Sequence, residues 1–364
     1  MQLEKRPDFD KVLARYEAWW HGEIIDRPPV WVNCRPEREP KLPKKTHATL
    51  RDRWFDMDFV MDCLEARIEV EEFVGDAFPR YYPNLGPELC GSVFGCEIEF
   101  GENTSWSIPA AKSIRDVLKI KPNLENVYWQ AIRRATLASI ERGRGRWITG
   151  LPDFHTNGDL LASLRDPEQL CYDCADDLEG VRLACEHVTD SFALMYEDLW
   201  KPIAAAGQPA TTWCPVPHRG KSYVTSCDFI CMISPGMFET AILPSIVREM
   251  RYLDCNMFHL DGPNALRHLD ALLAQPELNG IQWVYGAGRG GASDWIPVYQ
   301  RIQAAGKSIQ LSAQTLDDAK TALEHLRPEG VWITVGGYPR AEAEAFVTWV
   351  EKWAASKAHK PRRR

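Results

Sequence analysis

Eight short apolar runs separated by helix-length segments predict an α/β chain folded as a single (β/α)8 TIM barrel, with an N-terminal helical extension and inserted loops. The runs are Val30-Trp-Val, Tyr81-Tyr82, Trp147-Ile-Thr-Gly, Tyr223-Val-Thr-Ser-Cys, Met257-Phe-His-Leu, Ile281-Gln-Trp-Val-Tyr, Ile309-Gln-Leu-Ser and Val331-Trp-Ile-Thr-Val. Each is apolar on both faces, as buried parallel strands are. The chain of 364 residues is 45% hydrophobic and 26% charged, enough for one large core and unlike a disordered, collagenous or coiled-coil chain. A doubly wound open sheet is the alternative, disfavoured because no Gly-x-Gly-x-x-Gly follows the first strand. No internal repeat is visible. The barrel is expected over residues 1–356, followed by a basic disordered tail over 357–364.

Residues 8–21 place Phe9, Val12, Leu13, Tyr16, Trp19 and Trp20 at helical spacing, which predicts an amphipathic opening helix. Asp26-Arg-Pro-Pro turns the chain into the first strand, and the Pro-rich, charged stretch 35–45 reads as a loop. Residues 50–72 read as helix. Residues 76–108 read as irregular loops with a small excursion of strands. Residues 110–143 are mostly helical, punctuated by Pro122. Ser234 is placed to cap a helix with Pro235 in its first turn, and Pro244 predicts a kink in it.

Lys and Arg total 43 against 51 Asp and Glu, a net charge of -8, so a nucleic-acid backbone is not an expected partner. The charged start Met1-Gln-Leu-Glu-Lys-Arg lacks a signal-peptide core, and no apolar run is long enough for a bilayer. A cytoplasmic protein is expected, and its 11 cysteines read as free, mostly buried thiols. Cys171-Tyr-Asp-Cys174 falls inside a predicted helix with no second pair at finger spacing, so it reads as structural.

Side chains at the C-terminal ends of barrel strands face the active site. That rule selects Asp153, His155 and Asp159 after the third strand, Asp228 after the fourth, and His259 and Asp261 after the fifth. It adds Tyr285 and Arg289 after the sixth and Tyr338 after the last. His259 and Asp261 are two apart on a strand, so they share a face. The spacing suits two metal ligands, or an imidazole oriented by a carboxylate. It equally suits a His bonded to neighbouring backbone and an Asp capping the next helix. Asp228 ends an apolar strand, where a carboxylate is costly unless functional or paired with an Arg. Asp159 is the expected cap of the helix that follows it. Gly286-Ala-Gly-Arg-Gly-Gly291 reads as an anion cradle in which Arg289 clamps a carboxylate or phosphate, or as a flexible lid. The Trp213-Cys-Pro-Val-Pro-His218 segment suits a pocket mouth, and Trp213 and Trp283 are candidate walls of an apolar pocket. The catalytic candidates are therefore His259, Asp228, Asp261 and His155. The substrate-binding candidates are Arg289, Trp283, Tyr285, Trp213 and Tyr338.

Ile233-Ser-Pro-Gly-Met-Phe-Glu, Leu243-Pro, Phe258-His-Leu-Asp-Gly-Pro, Gly280-Ile-Gln-Trp-Val-Tyr-Gly-Ala-Gly and Leu164-Arg-Asp-Pro-Glu-Gln-Leu together resemble the uroporphyrinogen decarboxylase superfamily, over about residues 28–350. The resemblance implies a barrel with a deep pocket and one of two activities. One is cofactor-free decarboxylation of a porphyrinogen. The other is zinc-dependent methyl transfer between a corrinoid protein and a thiol. The zinc ligands of the methyltransferases are His-x-Cys and a Cys ending the last strand. Here His259 is kept, Asp261 replaces the first Cys, and the last position falls near Gly337. The decarboxylases' acid after the second strand and His after the last correspond to Asn84 and Gly337-Tyr338, while their N-terminal Arg corresponds to Arg35 or Arg38. The expectation is methyl or small-group transfer, such as demethylation of a methoxylated or methylamine-type small molecule. Zinc on His259 and Asp261 and a corrinoid partner protein go with it, and a homodimer is left open. Decarboxylation or lysis of a small carboxylic acid is the enzymatic alternative. A non-catalytic small-molecule binding protein is the other.

Overall fold

The computed structural model describes residues 1–358. All eight apolar runs form strands. The strands are β1 (Val30–Cys34), β2 (Phe73–Gly75), β3 (Arg80–Tyr81), β4 (Glu97–Phe100), β5 (Ser105–Ile108), β6 (Ile148–Thr149), β7 (Ser222–Ser226), β8 (Cys255–Asp261), β9 (Gly280–Val284), β10 (Ser308–Ser312) and β11 (Val331–Tyr338). The main sheet has the order β2-β1-β11-β10-β9-β8-β7. Its pairs are parallel except β1 with β2. β3 pairs in parallel with β6 as a separate arc. The fold is therefore a mixed α/β architecture with a parallel sheet. Between β1 and β3 stands antiparallel β2, which the sequence reading did not foresee. No strand pairing joins β6 to β7 among the described residues; past the end of β6, Leu151 N–H donates to the Thr211 carbonyl at 2.8 Å, and Tyr223 of β7 donates its hydroxyl to the Pro152 carbonyl at 2.7 Å. The expected eight strands are present, and the ladder joins them in two arcs.

The opening helix, Phe9–Trp20, covers the N-terminal end of the sheet. Its aromatic face meets the inward side chains: Tyr16 and Trp19 lie edge-on to Trp332, with centroids 5.6 and 5.8 Å away. Trp19 Nε1 donates to the Ile309 carbonyl, Trp20 Nε1 to the Pro217 carbonyl, and Ser308 Oγ to the Trp19 carbonyl. Burying each such ring contributes roughly 1.5–3 kcal/mol. Arg15 joins the helix to a fully buried Asp76, whose carboxylate also accepts from Arg27 and the Val30 N–H.

The helical stretch 50–72 is split by Asp56 into Leu50–Phe55 and Met57–Val70, because the Asp56 carboxylate accepts the Phe59 N–H and starts a new helix. Ser234 caps as expected, accepting the Met237 N–H. The irregularity near Pro244 is a π-helical stretch over Phe238–Ile242, relaxing the backbone just before a residue without an N–H. The eleven cysteines are free thiols. The last helix, Arg340–Ala358, runs past the expected start of the tail, and Lys357 donates to the Glu324 carbonyl at 2.7 Å. The rest of the expected tail, 359–364, lies outside the described residues. No helix among the described residues is long and apolar enough to cross a membrane.

Candidate functional site

β7 and β8 run in register, with Ser226 opposite His259, and His259 lies opposite Gln282 of β9. These residues share the inner face. His259 Nδ1–H donates to Gln282 Oε1 at 2.5 Å, while Gln282 Nε2 donates to Cys214 Sγ at 3.6 Å. The imidazole is thereby held with its Nε2 lone pair turned away from Gln282, 3.9 Å from Asp228 Oδ1. Asp228, His259 and Asp261 each offer a ligand atom within 4.8 Å of the other two. Trp213 packs edge-on to the His259 ring at 5.3 Å. His259 thus bonds a side chain rather than the backbone. Asp261 does not cap, since Gly262 at the next turn has no side-chain cap. Asp228 has no Arg partner among the described residues.

A second trio, His155, Asp159 and Asp228, also comes within 4.8 Å. Both ring nitrogens of its imidazole are already engaged. His155 Nε2 faces Asp153 at 3.1 Å and Nδ1 faces Asp159 at 3.2 Å. Burial opposes its charge, but the two carboxylates more than offset this and hold it well above the ordinary histidine range. The two flanking carboxylates favour the imidazolium form of His155. Asp159, expected to cap its own helix Asn157–Arg165, instead accepts the Asp228 and Phe229 N–H groups at 3.0 and 2.9 Å and starts the next turn, Asp228–Met232. Burial and the Asp159 charge push the Asp228 carboxyl up to about 6. His155, Asp159 and Asp228 also line a cleft of about 500 Å³ together with Glu88, Trp106 and Met232.

The other expected substrate contacts fall elsewhere. Trp283 follows inward-facing Gln282, so strand alternation turns it outward; it is fully buried against Trp295 at 5.2 Å. Tyr285 donates to the Ser312 carbonyl at 2.9 Å and stacks on Trp295. Tyr338 Oη accepts the Leu316 N–H at 3.2 Å and so anchors a helix start. Arg289 is exposed on its loop, outside the cleft lining. Asn84 accepts the Gly86 N–H in a turn, and Arg38 pairs with Glu69 on the surface. Sequence reasoning missed Gln282 and Arg80. Gln282 stands as a polar group inside an apolar strand run and Arg80 immediately before one, and that is the signal that marks them.

The likeness to known proteins is one of fold. Among solved structures the chain is similar to a methyltransferase from Methanosarcina mazei, with 14% identity, 94% of this chain and 98% of that chain covered, and a TM-score of 0.59. No family model matches the chain. No curated protein sequence matches it.

Behind the cluster, Asn157 Nδ2 donates both to the Ser226 carbonyl and to Glu249, each at 3.1 Å. Burial pushes the Glu249 carboxyl up to about 8. The folded chain therefore binds this proton more tightly than the unfolded one. The stabilisation is complete below the ordinary carboxylate range and is lost as pH rises through about 8. Glu249→Gln is expected to flatten the fall in stability between pH 5 and 8, a fall of at most about 1.4 kcal/mol per pH unit from one group. Urea midpoints of the two proteins across that range check it; parallel curves would contradict the assignment.

Proposed function

We propose that this chain is a (β/α)8-barrel enzyme of the uroporphyrinogen decarboxylase superfamily. It transfers a methyl or other small group from a small molecule to a corrinoid partner protein. The reacting centre is a divalent-metal site of His259, Asp261 and Asp228. The observation that carries the reading is the Gln282 bond to His259 Nδ1, which presents Nε2 toward two carboxylates as a metal ligand requires. The donor set is one nitrogen and carboxylate oxygens, with no thiolate, and it fits zinc or another borderline divalent ion. Such an ion would supply Lewis acidity to the substrate heteroatom that carries the group. When the methyl group leaves without its bonding electrons, that heteroatom keeps the pair and needs a proton. His155 holds one beside Asp159 and Asp153. Trp213 shields one face of His259 from water.

Elemental analysis of metal-replete protein tests the centre, with one divalent ion per chain expected. The activity test is metal-dependent methylation of cob(I)alamin from methoxylated or methylamine-type donors, followed by visible absorbance. Protein that retains no ion would reduce His259 to an acid/base or substrate-binding group. A second reading, decarboxylation or lysis of a small carboxylic acid, is favoured by the His155 imidazolium, which can protonate a carbanion.

Uroporphyrinogen is not expected to be a substrate. Its decarboxylation calls for an acid and an imidazole where Asn84 and Tyr338 stand, and both of these are occupied in structural hydrogen bonds. Anaerobic incubation is expected to yield no coproporphyrinogen; turnover of about one per second or faster would overturn the expectation.

A further inference from the structure

Arg80 of β3 alternates with Tyr81, whose side chain packs outward with Met61, Ile68 and Trp147. The guanidinium therefore points to the inner side of the sheet. There Nη1 donates to the Thr212 carbonyl at 3.0 Å, and the group lies over the Tyr82 ring at 5.4 Å. No carboxylate pairs with it among the described residues. Arg27 and Arg165, also buried, are each paired, with Asp76 and Asp173. An unpaired guanidinium in the interior is costly, and burial lowers its proton affinity. Arg80 nevertheless keeps some accessible surface, as do Tyr82, Trp213 and His259.

The segment 212–214 ties Arg80 to the reacting centre. Thr212 accepts from Arg80, Trp213 packs on His259, and Cys214 accepts from the Gln282 that orients His259. Thr212, which accepts from Arg80, is the chain neighbour of Trp213, which packs on His259. The chemistry around Arg80 limits an anion there to a single charge. The Asp153 carboxylate lies close enough to act on Tyr82 and Cys214, both neighbours of Arg80, and a dianion would meet its repulsion. A guanidinium fork matches a planar carboxylate, and the Tyr82 and Trp213 rings offer flat faces to an apolar body.

We propose that the substrate is a small monocarboxylate and that Arg80 binds its carboxylate, leaving the opposite end at His259. This rests on the reading of His259, Asp261 and Asp228 as the reacting centre. The test is calorimetric titration of metal-loaded protein with benzoate, with benzamide of the same shape and no charge, and with inorganic phosphate. Benzoate is expected to bind at least about tenfold tighter than benzamide and tighter than phosphate. Arg80→Met is expected to erase that preference, and Arg80→Lys to reduce it because the fork is lost. His259→Ala is expected to keep it. If the wild type shows no preference for benzoate over benzamide or phosphate, the proposal is overturned. It is also overturned if the preference survives in Arg80→Met or disappears in His259→Ala, since the carboxylate would then sit on the metal. Should Arg80→Met not fold, an unchanged preference in Arg80→Lys overturns it equally. Protein that binds no ion but still prefers benzoate through Arg80 would retain the anchor and discard the metal reading.

Discussion

His259→Ala is expected to abolish stoichiometric binding of a divalent ion, and with it metal-dependent group transfer, while the chain stays folded. The side chain is only part-buried, and its packing partner Trp213 stands between Thr212 and Cys214, which hydrogen-bond to each other. The graded companion is Gln282→Leu, which keeps the ligand but releases its orientation. Losing the Nδ1 bond frees the ring to rotate and to change tautomer, for which a loss of about 10–100-fold in metal affinity is expected. Gln282→Glu keeps an acceptor facing Nδ1–H and is expected to hold or raise affinity. Competition with a chromophoric chelator ranks the three proteins. An affinity for Gln282→Leu equal to the wild type would mean that the amide only fills space.

Asp76→Ala is expected to be the most damaging single change to stability. The carboxylate is fully buried and serves two guanidinium groups and a backbone N–H. Arg27 is itself buried, and without Asp76 its nearest remaining acid is the surface-exposed Glu351 at 3.5 Å. Removing one member of such a set leaves uncompensated buried charge, at a cost of about 3–5 kcal/mol. Asp76→Asn keeps the volume and is expected to lose nearly as much, because an amide offers no charge to either Arg. Urea denaturation measures both. A loss below about 1 kcal/mol would place the pair in the class of surface ion pairs.

The eight strand positions were legible because parallel strands buried on both faces leave unbroken runs of Val, Ile, Leu and aromatic residues. Antiparallel β2 was not, since Phe73-Val-Gly is too short to show any period. The convergence of Asp228, His259 and Asp261 followed from one rule, that strand C-termini face the site. The same rule selected Tyr285, whose hydroxyl bonds the Ser312 carbonyl and whose ring stacks on Trp295, because it picks the strand end without deciding which face a residue takes. His259 and Gln282 settle that parity by pairing across adjacent strands, and the residues adjacent to them in sequence turn outward. Asp159 was read as a local cap since its helix begins nearby. Its actual partners lie 69 and 70 positions away, beyond the reach of any local pattern.

The opening helix sets a timetable for folding. The hydrogen-bond partners of its two indoles lie far along the chain, 197 positions ahead for Trp20 and 290 for Trp19. At synthesis rates of about 5–20 residues per second, Trp19 waits roughly 15–60 s for Ile309 to emerge. A helix of 12 residues is marginal alone in water, so this one is expected to take shape largely as it docks. Until then two indoles, a phenol and Phe9 remain a sticky surface open to chaperones and to neighbouring nascent chains. The segment made among the first is among the last to find its seat, and its arrival covers the N-terminal end of the sheet.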